Sequence, residues 1–85
     1  MTKNDIESIL KDNQPSKKVL SASEMVNIMS YVKPKVEIDR NSMEYYYKIS
    51  IDDLVNSEMP LSDLDDLKNE GWSIDTNCES IILFF

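Results

Sequence analysis

Apolar residues fall in helical phase in three stretches of the chain and alternate with polar ones in two others. In residues 5–12, Ile6, Ile9 and Leu10 share one face and predict a short helix, its stripe narrow enough to dock on a larger body or to fray. Residues 13–18, Asn-Gln-Pro-Ser-Lys-Lys, read as a polar connection. A helix over 21–33 is signalled most fully. Ser21 and Glu24 have the spacing of a capping box, Leu20 and Met25 that of a hydrophobic staple, and Met25, Ile28, Met29 and Val32 form one apolar face. Pro34 ends it, because the residue before a proline is pushed out of the helical region.

Val36-Glu37-Ile38 then alternates, residues 39–42 are turn-rich, and residues 43–49 alternate again with Met43, Tyr45, Tyr47 and Ile49 on one side. This predicts a β-hairpin. Residues 50–57 have room for one or two helical turns. Residues 60–70 predict a second amphipathic helix with Leu61, Leu64 and Leu67 inward, closed by Gly71 as the left-handed terminator. Residues 72–74 and 80–85 predict a second hairpin around Asp75-Thr76-Asn77-Cys78.

A displacement of 36 residues lays 19–49 on 55–85 without a gap. Val19 meets Val55, Ser21 meets Ser57, Ile38 meets Ile74, Asp39 meets Asp75 and Asn41 meets Asn77. The apolar phase also coincides: Met25 with Leu61, Ile28 with Leu64, Tyr31 with Leu67, Val36 with Trp72, Tyr45 with Ile81, Tyr47 with Leu83 and Ile49 with Phe85. The expected fold is a single small α+β domain. An N-terminal helix and connection (1–18) precede a core (19–85) of tandem αββ-αββ form, with a four-stranded antiparallel sheet and helices on one face.

Composition narrows the chemistry. With 85 residues the chain makes one domain. Its single cysteine fits a reducing compartment, and its N-terminal residues run into an amphipathic pattern without the apolar stretch of a secretory leader. The longest apolar run, residues 81–85, is far short of the ~20 residues of a membrane helix. A soluble, cytoplasmic protein with no membrane association is expected. The absence of histidine removes the commonest general base, the usual nucleophile pairs and the ordinary zinc ligands. The lone glycine excludes phosphate-binding and dinucleotide-binding loops. Cys78 falls in a turn with no basic neighbour in sequence, and Asp63, Asp65 and Asp66 lack the spacing of a calcium loop. No catalytic residue, cofactor or metal is expected, and the protein reads as a non-enzyme.

Charge is what remains informative. The formal net charge is −7. Residues 50–70 carry Asp52, Asp53, Glu58, Asp63, Asp65, Asp66 and Glu70 against Lys68 alone, so this segment holds −6 of it. Acids in a first helical turn complement the helix dipole, but that explains only part of the cluster. Such a surface disfavours nucleic acid and attracts a basic protein. The expectation is a protein-binding module, of the kind a small phage or bacterial regulator or inhibitor would be, engaging a basic partner through this segment. The competing expectation is a structural or assembly protein, a homo-oligomer such as a homodimer, or a virion component. It would associate through Tyr46, Ile82 and Phe84 on the far side of the sheet, unless the N-terminal helix closes over them.

Overall fold

The computed structural model describes residues 1–11, 13 and 22–85. α1 (Lys3–Leu10) starts at Thr2, whose Oγ1 accepts from the Asp5 N–H at 3.2 Å while Asp5 Oδ2 accepts from the Thr2 N–H at 2.9 Å. This capping box, absent from the sequence reading, starts the helix earlier than the apolar stripe alone suggests. The hydrogen bonds from Thr2 favour the carboxylate and hold Asp5 below its ordinary pKa of 3.8. Ile6 and Leu10 are buried in the core, so the helix is docked.

α2 (Ala22–Met29) is shorter than expected. Beyond Met29 the bonding becomes mixed: Ser30 N–H is shared between the Val26 and Asn27 carbonyls, and Tyr31 and Val32 both donate to Ile28. The Ser21–Glu24 box, the Leu20–Met25 staple and most of the polar connection lie outside the described residues. Of the predicted face, Ile28 and Val32 are buried, Met25 is half-buried and Met29 is exposed.

β1 (Lys35–Asp39) and β2 (Glu44–Ser50) form the first hairpin, and α3 (Ile51–Asn56) follows directly, burying Ile51 and Leu54. α4 (Leu61–Glu70) ends at Gly71, whose φ of 102° lies in the left-handed region. Gly71 N–H donates to Lys68 and Trp72 N–H to Leu67, the paired bonds of a Schellman ending, and Leu67 and Trp72 are both buried beside it. Leu61, predicted inward, is 49% exposed. It is the first helical residue, and its expected place belongs to Met59, which with Leu64 is in the core at the N′ and N4 positions of a hydrophobic staple. β3 (Ser73–Ile74) and β4 (Ser80–Phe84) form the second hairpin.

All strand pairs are antiparallel and the sheet order is β1-β2-β4-β3. The register reproduces the sequence displacement. Glu37↔Tyr46 and Ile38↔Tyr45 in the first hairpin become Ser73↔Ile82 and Ile74↔Ile81 in the second, each partner moved by 36. Between the hairpins Tyr47 faces Leu83, its own counterpart, so a local two-fold passes through that pair. The element order is αββ-αββ with α3 inserted between the halves.

The halves differ in what covers them. α3 packs on β2 and β4 and α1 on β3, with α1 also against α3 and α4, whereas β1 packs principally against β2. Trp72 is therefore fully buried while its counterpart Val36 is 55% exposed, and Tyr45 is exposed likewise. Met43, predicted as an inward strand residue, is a turn residue with φ 59° and an exposed side chain. Asp39 imposes that turn: its carboxylate accepts from the Asn41 N–H and its carbonyl from the Met43 N–H. The second turn closes differently, Cys78 N–H donating to the Asp75 carbonyl with Cys78 at φ 55°.

Candidate functional site

The acidic segment divides in three dimensions. α4 directs Asp63, Asp66 and Glu70 at i, i+3 and i+7 along one side, where they line a cleft facing α2. Across it stand Ser23 and Asn27, one helical turn apart on α2, and between them lies an apolar floor of Ile28, Met59 and Leu67. The cleft has a volume of about 230 Å³. Asp65 projects to solvent from α4, Glu58 is exposed in the connection before it, and Asp53 is exposed on α3. Asp52 borders a separate hollow with Lys3, Ser50, Ile51, Cys78, Glu79 and Ser80. Ser23, Asn27 and Met59 were not singled out in the sequence; the i, i+4 spacing of Ser23 and Asn27, beside Ile28, was the available signal.

Three carboxylates over an apolar floor suit an amphipathic cation. A lysine or arginine stem can lie on Ile28, Met59 and Leu67 while its charged head reaches the rim. Asp63 also occupies the first turn of α4, where an acidic residue complements the helix dipole.

Ile6 and Leu10 of α1 enter the core with Ile49, Ile81 and Leu83, on the side of the sheet opposite Tyr46, Ile82 and Phe84. Tyr46, Ile82 and Phe84 are nevertheless only half-exposed. The Tyr46 and Phe84 rings pack at 5.4 Å, the Tyr46 hydroxyl donates to Glu37 Oε2 at 3.0 Å, and Lys48 Nζ lies 3.6 Å from the same oxygen. This polar bracket makes the face less apolar than the sequence suggests.

The Glu37 hydrogen bond holds Tyr46 in its protonated form and raises its pKa above the ordinary 10.0. Its contribution to stability is complete below the pKa of an unfolded tyrosine and is lost as pH rises through the folded value. Glu37→Ala is expected to return the Tyr46 titration toward the ordinary value, read from tyrosinate absorbance against a Tyr46→Phe blank. An unmoved midpoint would remove Glu37 as the cause.

Cys78 is exposed and borders two hollows, one containing Lys3 and the other Glu7 of α1 and Lys11, the residue that caps it. Among the described residues no group of three or more potential ligands is placed to hold a metal ion, and no helix is long and apolar enough to cross a membrane.

These features define a small α+β domain in which two αββ units share one antiparallel sheet, with an acidic cleft between helices from different halves. Comparison with protein families, curated proteins and solved structures found no match.

Proposed function

We propose that this protein is a non-enzymatic binding module whose acidic cleft receives a basic side chain from a partner protein, in the manner of a small regulator or inhibitor. The observation that carries the reading is the meeting of Asp63, Asp66 and Glu70 over the apolar floor of Ile28, Met59 and Leu67. A purely solubilising acidic face needs no cleft; a site for lysine or arginine needs both a carboxylate rim and an apolar bed. The remaining acids, Asp52, Asp53, Glu58 and Asp65, extend the negative field and would hasten encounter with a basic surface.

The test is titration with a short arginine- and lysine-rich peptide, followed by amide chemical shifts in the labelled protein. Shifts are expected to centre on α4 and the facing side of α2, and affinity to fall as salt rises. The double variant Asp63→Asn, Asp66→Asn is expected to weaken binding by roughly tenfold or more, the loss of two charge-assisted contacts. Undiminished affinity in the variant, with a flat salt response, would defeat the reading.

A further inference from the structure

The sheet has one long open edge. β3, at one side, is two residues long, whereas β1, at the other, presents Lys35–Asp39 with no strand beyond it among the described residues. An edge strand offers a row of unpaired N–H and C=O groups to any extended segment that fits. On the helix side of this edge lies an apolar strip that the helices leave exposed: Val36 (55% exposed) and Tyr45 (53% exposed), with Ile38 half-buried. Phe85 stacks on Tyr45 and Tyr47 at 6.3 and 4.4 Å, giving the strip a firm inner border. The opposite side of the same strand carries Lys35, Glu37 and Asp39.

We propose that β1 is a self-association edge on which a second copy of this chain pairs, antiparallel and about a two-fold axis at Glu37, to make an eight-stranded sheet. Charge and the position of Pro34 together select the register. Centring on Glu37 sets Lys35 of each copy opposite Asp39 of the other, two complementary pairs, and sets Val36 opposite Ile38 on the apolar side. The two Glu37 carboxylates then meet at the centre, where each already has Lys48 at 3.6 Å and the Tyr46 hydroxyl at 3.0 Å to offset the repulsion. Centring on Ile38 would instead oppose Glu37 to Asp39, acid to acid. Centring on Val36 would bring Pro34, which has no N–H, into the ladder. Five residues of strand and a narrow apolar strip make a small interface, so the dimer is weak and its population follows concentration.

Sedimentation velocity over a concentration series reads the association directly. The wild-type chain is expected to dimerise, Lys35→Glu and Asp39→Lys each to weaken the dimer by roughly tenfold or more, and an equimolar mixture of the two variants to recover it, because both 35–39 pairs are then complementary. Asp39 also closes a turn, so hydrogen exchange of the wild-type amides 35–39 gives a reading without substitution: their protection is expected to fall on dilution. A wild-type chain that is monomeric throughout, protection independent of concentration, or a mixture no better than the single variants would overturn the proposal. A dimer indifferent to both charge reversals would also overturn it, moving association elsewhere, for example to the Tyr46, Ile82, Phe84 face. The acidic cleft is not involved, so either result leaves the peptide titration to be judged on its own.

Discussion

Replacing Trp72 by alanine is expected to cost about 3–5 kcal/mol, the range for truncating a large buried aromatic. Val36→Ala, at the equivalent place in the first half, should change stability by less than about 0.5 kcal/mol, as exposed substitutions usually do. Trp72 is fully buried beneath the helix layer, and its carbonyl accepts a hydrogen bond from the Asn13 side chain, which also reaches the carbonyl of Lys68. It is also the residue on which the α4 ending closes. A domain of this length has a total stability of roughly 4–13 kcal/mol, so the alanine variant should lose a large share of it. Trp72→Phe keeps most of the ring volume and removes an indole N–H that has no partner among the described residues, so it should cost less than the alanine change. Urea unfolding of the three variants, followed by circular dichroism, checks the series. A loss below about 1 kcal/mol for Trp72→Ala would mean that the second hairpin is not seated against the helices as described.

The second large effect separates two leucines that the periodic pattern treats alike. Leu64→Ala is expected to destabilise by about 2–5 kcal/mol, the cost of a cavity in a packed core. Leu61→Ala should lie within about 0.5 kcal/mol of the parent. Leu64 is fully buried and belongs with Ile28, Leu54 and Met59 to the core cluster, whereas nearly half of Leu61 meets solvent at the first turn of α4. Met59→Ala should resemble Leu64→Ala in kind, since Met59 takes the buried place beside the helix start. Equal losses at 61 and 64 would return Leu61 to the core and contradict the staple.

The same contrast shows how far the sequence can be read. Helix 60–70 and its end were legible because glycine at the left-handed position is a local requirement, satisfied or not within a few residues. The hairpins were legible because alternation and turn chemistry are also local. The 36-residue displacement was visible as a common apolar phase, and the sheet repeats it pair by pair. The start of α1 was missed although Thr2 and Asp5 carried the signal, because the apolar stripe was read ahead of the cap.

What the sequence by itself determined is therefore the kind and order of the elements, the four-stranded antiparallel sheet, and a local excess of acid in residues 50–70. Each of these follows from period, capping, turn residues or charge, which act over a few positions. The tertiary structure alone decided which apolar residues are covered. Met29, Val36, Met43, Tyr45 and Leu61 satisfy the pattern yet remain exposed: Val36 and Tyr45 lie where the helices do not reach, Met43 is in a turn, and Met59 takes the inward place expected of Leu61. It also decided which acids act together, since Asp63, Asp66 and Glu70 share a cleft only because α2 stands opposite α4. Coverage and juxtaposition depend on the placement of elements distant in sequence, and no local pattern encodes that placement.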